Sequence, residues 1–260
     1  MTSIRARSLG PLPEVRPGAD LAQLIFEALG AEPLRAGQVV AVAQKAVSKA
    51  EGAIVALTDV EPGARARELA RVLADGAGAG AKDARVVQVV LDQSAEIVRA
   101  QRGVLICRTH HGLVCANAGV DASNAGPHGE DAVIVLPRDP DDSARRLRAR
   151  LRELAGVAPA VLISDSFGRA WRHGQVDVAI GLAGMQPLED WRGRRDAHGR
   201  ELHATLPAVA DAAAAAAELA RAKDSGEPVV VIDGLERFVG EHDGPGAVAL
   251  QRALEEDLFR

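Results

Sequence analysis

The chain contains no tyrosine, and only 2% of its 260 residues are aromatic. Leucine, valine, isoleucine and alanine must therefore fill its core, and the scarcity of rings argues against aromatic cages and base-stacking platforms. Its two cysteines, Cys107 and Cys115, are too few for a disulfide framework and lack metal-finger spacing. We expect two buried or inert thiols in a reducing compartment, and we predict a cytoplasmic protein.

Long apolar runs and an excess of basic charge are also missing. No segment approaches the roughly 20 apolar residues of a membrane span, and the N-terminus lacks the apolar run of a signal peptide. The net charge of -5 and the pI near 5.8 argue against a surface that follows nucleic acid. We therefore expect neither a membrane nor a nucleic-acid partner.

The apolar pattern predicts strands that alternate with helices in one domain spanning residues 1–260. We expect a loop at 44–52, a hairpin turn at 110–112, an N-cap within 141–143, and a strand tip at 164–169. Strands are predicted at 39–43, 104–108, 112–116, 132–136, 160–163 and 228–232. Helices are predicted from about residue 20 and at 64–74, 86–100, 141–155 and 208–222.

The segment 164–169 reads Ser-Asp-Ser-Phe-Gly-Arg and follows the apolar run 160–163. Asp165 and Asp121 each follow an apolar segment in a turn-forming context, and Ser166 adds a hydroxyl. Such oxygen donors are the ligands that Mg²⁺ or Mn²⁺ prefers beside nucleotide phosphates. Turn formation or helix capping is the alternative for each aspartate alone.

Several cationic and amide side chains fit a nucleotide. Lys45, Lys49 and Asn124 can contact phosphate, sugar or base, although either lysine could equally be a solvated surface cation. Arg169 and Arg172 are candidates for holding phosphate or carboxylate, with structural ion pairing as the alternative. The chain has neither a phosphate-binding P-loop nor a Rossmann fingerprint, so the nucleotide site must be of another kind. The scattered histidines lack zinc-site spacing, and the nucleophile motif Gly-x-Ser-x-Gly is absent.

Blocks of sequence in order along the chain resemble the coenzyme F420-0:L-glutamate ligase family, the gamma-glutamyl ligases of deazaflavin biosynthesis. These blocks are residues 12–15, 44–52, 117–124, 136–141, 164–169 and 179–181. The resemblance implies an α+β fold with two interleaved α/β subdomains, in an intertwined homodimer. Some bacterial relatives carry a C-terminal flavin reductase domain, which we do not expect here. It also implies GTP-dependent addition of L-glutamate to coenzyme F420-0 through an acyl phosphate, with a second, γ-linked glutamate added later.

The resemblance also implies roles for particular residues. Asp121, Asp165 and Ser166 match the ligands of Mg²⁺ or Mn²⁺, and K⁺ is a candidate additional cation. The residues that match the GTP contacts are Leu12, Pro13, Glu14, Val15, Gln44, Lys45, Lys49 and Asn124. Many relatives carry a further metal-binding Glu in a segment that reads Ala-Arg-Ala-Lys-Asp-Ser-Gly at 220–226 here, so Asp224 or water would replace it.

Two alternatives use the same residues differently. A metal-dependent GTP phosphohydrolase or phosphotransferase would turn over GTP without glutamate or a deazaflavin. A GTP-binding module would bind the nucleotide and turn over nothing. The order of the blocks along the chain favours the ligase.

Overall fold

The computed structural model describes residues 3–74, 82–123 and 131–257. Its helices are α1 (Leu21–Ala28), α2 (Gln44–Ala50), α3 (Ala64–Ala74), α4 (Ala84–Asp92), α5 (Pro140–Ala155) and α6 (Val209–Glu218). Its strands are β1 (Arg5–Ser8), β2 (Val39–Ala43), β3 (Ile54–Ala56), β4 (Ser94–Gln101), β5 (Val104–Thr109), β6 (Val114–Ala116), β7 (Ala132–Ile134), β8 (Ala160–Arg169), β9 (Arg172–Ala183) and β10 (Val229–Asp233). Asn124 lies outside the described residues.

A five-stranded sheet in the order β1-β10-β2-β8-β9 forms the centre, and β2 and β8 are its parallel pair. Strands β2 and β10 are apolar on both sides because helices cover both faces of the sheet. Val40, Val42 and Ile163 pack with α1, α2 and α5, whereas Leu162 and Ile232 pack with the alanine-rich α6. This mixed architecture agrees with the predicted α+β class, while the intertwined dimer stays a prediction.

Described residues between α2 and α5 build a separate apolar cluster. Helices α3 and α4 pack there against the sheet β4-β5-β6, with Leu73, Val87 and Leu105 fully buried. The hairpin β5–β6 confirms the predicted turn at 110–112, and it pairs Cys107 with Cys115. Both cysteines are buried, as expected, and burial raises the pKa of Cys115 to about 12.

Carboxylates on two helices bind the backbone of β9, the last strand of the central sheet. The amide of Asp177 donates to Glu218 at 2.9 Å, and the amide of Ala179 donates to Asp211 at 2.9 Å. The amide of Leu182 donates to Asp141 at 2.8 Å. Small alanine side chains let α6 lie close enough to the sheet for its short acidic side chains to reach.

Two predicted elements are wrong in type. Residues 44–50 form helix α2 rather than a loop, because Ala46 and Val47 bury one face of the turn against the core. The predicted helix 86–100 ends at Asp92, and 94–101 form β4, since this segment pairs with β5. Tertiary pairing outweighs helix propensity in that stretch.

Other boundaries differ by a few residues. Strand β8 does not end at Ile163 but continues to Arg169, because β9 pairs with it along its whole length. Helix α5 begins at Pro140, and Asp139 rather than 141–143 supplies the N-cap by accepting from the amide of Asp142. Helix α6 is shorter than the predicted 208–222, and β7 ends at Ile134. Among the described residues, no helix has the length and apolar character needed to cross a membrane.

Candidate active site

A cavity of about 480 Å³ opens at the carboxyl end of β2, beside the middle of its parallel partner β8. Ala43, the last residue of β2, is the register partner of Ser164, and β8 continues beyond this point to Arg169. Ligand sites form at this edge of α/β sheets because side chains from several connections converge there. The predicted residues that line the cavity are Leu12, Pro13, Glu14, Val15, Gln44, Lys45, Lys49, Asp121, Asp165 and Ser166.

Helix α2 presents both lysines to the cavity because residues four apart share one helix face. Lys45 lies 2.7 Å from the Asp121 carboxylate and donates to the Ser123 hydroxyl at 2.6 Å. Lys49 lies 2.7 Å from the Glu14 carboxylate. Neither lysine is the solvated surface cation of the alternative interpretation, since their side chains are 26% and 12% exposed.

Gln44 begins α2, and its side-chain amide is already used in the core. It donates to the Ser48 hydroxyl at 2.6 Å and to the Val135 carbonyl at 3.2 Å. The Ser48 hydroxyl donates to the same carbonyl at 2.7 Å. The amide nitrogen of Gln44 therefore fixes α2 against the segment after β7.

Asp121 and Asp165 bring two carboxylates to the cavity from different parts of the chain. A pair of backbone hydrogen bonds with Ile134 holds Asp121 in place. Burial would raise the pKa of Asp121, but Lys45 and the Ser123 amide outweigh it and lower that pKa. For Asp165, burial together with the negative charges of Asp177 and Asp121 raises the pKa to about 6.

Ser166 belongs to a buried polar network that the sequence did not predict. Its hydroxyl donates to Asp177 at 2.6 Å and accepts from Lys223 at 2.5 Å. Asp177, with a side chain only 1% exposed, also accepts from Arg221 at 2.6 Å and from Ser164 at 3.0 Å. Two cations and two hydroxyls thus surround this carboxylate, and they lower its pKa although burial acts to raise it.

Arg169 and Arg172 do not line the cavity. They are register partners at the far end of the β8–β9 hairpin, where the guanidinium of Arg169 donates to the His173 carbonyl at 2.7 Å. Asp224, the suggested substitute for the missing family Glu, does not line the cavity either. Its neighbour Lys223 does, so a cationic side chain approaches Ser166 from this loop.

The donors at the cavity suit a hard cation. Asp121, Asp165 and Ser166 offer carboxylate and hydroxyl oxygens, as Mg²⁺ and Mn²⁺ prefer. Within the described ranges, no group of three or more His, Cys, Asp or Glu side chains could hold a metal ion. The two carboxylates would therefore need oxygens from nucleotide or water to complete a coordination shell.

The sequence pattern of the F420-0:gamma-glutamyl ligase family matches residues 10–234. The chain belongs to this family. The predicted resemblance is therefore confirmed, and so is the prediction of a ligase. The match includes the residues that contribute the described lysines, aspartates and Ser166 to the cavity.

Curated relatives match over nearly the full chain. A protein of Methanopyrus kandleri named coenzyme F420:L-glutamate ligase is 48% identical over 249 residues, which is 95% of this chain and 94% of the relative. The protein of the same name from Methanothermobacter thermautotrophicus is 41% identical over 252 residues, 96% of each chain. That of Methanocaldococcus jannaschii is 38% identical over 237 residues, 91% of this chain and 90% of the relative.

Asp177, Arg221 and Lys223 are among the cavity residues that sequence reasoning missed. A weak signal exists for Asp177, because a carboxylate next to the apolar run 178–180 needs a buried partner. Nothing in the sequence shows that this partner lies beyond the end of α6. Arg221 and Lys223 follow an alanine-rich helix and read as ordinary exposed cations.

Proposed function

We propose that this chain joins L-glutamate to coenzyme F420-0 in an amide bond and uses GTP to activate the carboxylate. The observation that carries the proposal is the convergence of separated segments on one cavity. The cavity is lined by residues 12–15, by helix α2, by Asp121, and by Asp165 and Ser166 of β8. The names of the relatives support the substrate pair.

The need for GTP follows from the chemistry of the acceptor. A free carboxylate is a poor acyl donor, because its leaving group would be an oxide ion. Transfer of the γ-phosphoryl group of GTP to the acceptor's terminal carboxylate gives an acyl phosphate and GDP. Attack by the amine of glutamate then forms the C–N bond and releases phosphate, while the amine loses its protons to solvent or a base.

Cationic side chains of this chain would hold the nucleotide during that transfer. Lys45 and Lys49 point compact positive charges into the cavity, where phosphate oxygens would compete for them with Asp121 and Glu14. Residues 12–15 would contact the nucleotide from the segment before α1, where the Leu12 amide donates to the Gly226 carbonyl at 3.2 Å. Asn124 is proposed as a further contact.

We assign Asp121, Asp165 and Ser166 as the residues that would hold Mg²⁺ or Mn²⁺. Such a cation offsets negative charge on the phosphates during phosphoryl transfer. Asp121 and Asp165 bring the carboxylates, and Asp177 keeps the Ser166 hydroxyl oriented through their hydrogen bond. We further propose a homodimer in the cytoplasm and a second round that adds a γ-linked glutamate.

Mass spectrometry tests this proposal directly. Purified protein is incubated with coenzyme F420-0, L-glutamate, GTP and Mn²⁺, and each component is omitted in turn. Mass additions of one and then two glutamates that require GTP are expected. GTP hydrolysis without a glutamylated product would favour the phosphohydrolase, and GTP binding without turnover would favour the binding module.

A further inference from the structure

Lys223 differs from the other cationic side chains that line the cavity. In the part of the chain that the structure describes, these are Lys45, Lys49 and Arg221. Their side chains are 26%, 12% and 9% exposed, whereas that of Lys223 is 63% exposed. Arg221 is also committed to the fold, because its guanidinium donates to the buried Asp177 at 2.6 Å. Lys223 is therefore the cation of this cavity that an anionic ligand reaches most readily.

The contacts of Lys223 place its charge beside Ser166. The ammonium group donates to the Ser166 hydroxyl and lies 3.2 Å from the Asp177 carboxylate and 2.9 Å from the Glu218 carboxylate. These partners differ from the carboxylates that pair with the two lysines of α2. The cavity therefore has two separate cationic positions, one on α2 and one beside Ser166.

Gln175 adds an uncharged amide to the same part of the cavity. It lies two residues before Asp177 on β9, and both residues line the cavity. Side chains two residues apart on a strand leave the same face, about 7 Å apart. Gln175 is exposed, and among the described residues its side-chain amide has no hydrogen-bond partner. Its donors are therefore available to a ligand on the face where Asp177 contacts Lys223.

Gly168 leaves open space beside Gln175. The two residues are register partners, and Ser166 pairs with Asp177 two residues along the same strands. The φ of Gly168 lies outside the left-handed region, and a Cβ built on it would meet no atom within 4 Å. The fold therefore does not require glycine here, and a glycine in a strand often marks the close approach of a ligand. This open face, bounded by Gly168, Gln175 and Lys223, is the candidate subsite.

The donors of the candidate subsite suit a single carboxylate. An ammonium group gives a charged hydrogen bond, and a glutamine amide adds two neutral N–H donors, which together match two oxygens that share one negative charge. A triphosphate carries more charge, and the two lysines of α2 offer that charge at the other cationic position. The acceptor needs its terminal carboxylate free to attack the γ-phosphoryl group. L-glutamate is therefore the substrate whose carboxylate fits this subsite best.

We propose that Lys223 and Gln175 bind the α-carboxylate of L-glutamate. One carbon separates this carboxylate from the reacting amine, so a carboxylate held beside Ser166 keeps the amine near the oxygens assigned to the cation. The ammonium proton that Ser166 accepts would turn to the substrate, while the pairs with Asp177 and Glu218 keep the side chain in place. The inference rests on the proposed function, since it assigns the subsite of the amine that the reaction consumes.

Kinetics of two variants test the subsite. Lys223→Met keeps the length of the side chain and removes its charge, and its KM for L-glutamate is expected to rise about tenfold to a hundredfold. Gln175→Ala breaks no side-chain hydrogen bond within the described residues, so it stays folded. Its KM for L-glutamate is expected to rise about twofold to tenfold.

The KM for GTP and that for coenzyme F420-0 stay unchanged in both variants, and Lys223→Arg restores most of the affinity. The matched control is Gln23→Ala on α1, which does not line the cavity. An unchanged KM for L-glutamate in either Lys223→Met or Gln175→Ala would overturn the inference. So would an equal rise in the KM for GTP or for the acceptor.

Substrate analogues identify which carboxylate is bound. γ-Aminobutyrate lacks the α-carboxylate of L-glutamate, and L-2-aminobutyrate lacks the γ-carboxylate. Lys223→Met should reduce the preference in kcat/KM for L-glutamate over γ-aminobutyrate at least about fivefold, because groups in contact do not act independently. The preference over L-2-aminobutyrate stays the same. A Lys223→Met protein that keeps the first preference, or loses the second instead, contradicts the assignment.

Binding without turnover separates this inference from the proposed function. Isothermal titration calorimetry with L-glutamate, in the presence of GDP and Mg²⁺ but without acceptor, measures the Kd of the wild-type and Lys223→Met proteins. Weaker binding by the variant, with no GTP-dependent ligation by the wild type, would support the subsite and overturn the proposed function. Ligation with equal affinities in the two proteins, or no binding by the wild type, would overturn the subsite and leave the proposed function in place.

Discussion

Two carboxylates of the candidate active site have opposite environments, although Asp165 and Asp177 lie on neighbouring strands. Asp165 is buried near like charges, which raise its pKa to about 6. Asp177 is held by Ser166, Arg221 and Lys223, which lower its pKa despite its burial. Environments that push two pKa values apart give the groups different tasks. A bound cation would offset the negative charge of Asp165, whereas Asp177 holds Ser166, Arg221 and Lys223 in place.

Asp165→Asn is expected to stabilise the metal-free protein at neutral pH. The folded-state pKa of Asp165, about 6, lies above the ordinary 3.8. The ionised carboxylate therefore destabilises the folded protein, whereas the protonated form does not. The variant's gain in free energy of unfolding over the wild type is therefore absent below about pH 4. It grows between about pH 4 and 6 and levels off at roughly 3 kcal/mol. Urea denaturation at several pH values, in the presence of a chelator, measures this difference. A pH-independent difference would contradict the prediction.

The same Asp165→Asn variant should lose metal-dependent ligation while it stays folded. Its amide keeps a hydrogen-bond acceptor for the Ser166 amide, which donates to Asp165 at 2.9 Å, but it carries no charge for a cation. We expect a fall in kcat of at least about a hundredfold. Unchanged turnover at saturating Mn²⁺ would exclude Asp165 as an essential ligand.

Asp177→Asn is expected to destabilise the protein. The Arg221 side chain is only 9% exposed and would lose its counter-charge. Loss of one partner from a buried ion pair costs about 3–5 kcal/mol. Because the pKa of Asp177 is lowered, this contribution is present above the ordinary pKa and disappears as the pH falls through the folded-state value.

Chemical denaturation at pH 7 measures the effect, with Asp190→Asn as the control. Asp190 forms an exposed ion pair with Arg192 at 2.7 Å, so its removal should leave stability unchanged. Equal free energies of unfolding for the two variants would show that the buried network makes no net contribution to stability.

At the scale of elements, β8 and β9 form the support of the site and fix the distance of the sheet from α5. Gly181 on β9 lies directly beneath the N-terminus of that helix. A Cβ at this position would clash with the Pro140 carbonyl group and lie 2.6 Å from its carbon. The glycine thus permits close approach of strand and helix, which also lets Asp141 reach the Leu182 amide.

Gly181→Ala is therefore expected to lower the free energy of unfolding by about 1–3 kcal/mol or more, the usual range for overpacking. Gly168→Ala is the matched control, because its new methyl group meets only open space. It should change stability little. Guanidinium denaturation of both variants provides the comparison, and a Gly181→Ala protein as stable as Gly168→Ala would contradict the predicted clash.

Element types were predictable where periodicity and length agreed, as in α3, α5 and the central-sheet strands β2, β8 and β10. Strand β1 was not predicted. The prediction for 94–101 was wrong because its residues suit a helix locally, whereas in the fold they pair with the neighbouring strand β5. The prediction for 44–50 was wrong because the lysines suggested a loop, whereas Ala46 and Val47 form a buried helical face. In both places the tertiary contacts decide between two locally acceptable structures.

At the scale of the whole molecule, the order of strands could not be read from the sequence. Strand β10, near the C-terminus, inserts between β1 and β2, and this insertion places the loop of Arg221 and Lys223 beside the cavity. Local motifs located Asp121, Asp165 and Ser166 because each follows an apolar segment. Their distant partners depend on chain topology, for which the sequence carries no local signal.

Ligand binding should stabilise the whole chain. At a ligand concentration a hundredfold above Kd, binding to the folded state adds about 2.7 kcal/mol. For a protein of this size, that gain raises Tm by roughly 5–10 °C. We expect GTP with Mn²⁺ to raise Tm more than GTP alone, as measured by differential scanning calorimetry. The Mn²⁺-dependent increment should vanish in Asp165→Asn, and its persistence there would place the cation elsewhere.

The carboxylates that accept hydrogen bonds from backbone amides of β9 influence the tendency of the protein to aggregate at high concentration. An outermost strand usually exposes a row of amides that can recruit a strand from another chain and start aggregation. Here Glu218, Asp211 and Asp141 occupy the amides of Asp177, Ala179 and Leu182. These three amides of the edge strand are therefore not available to pair with a strand from another chain.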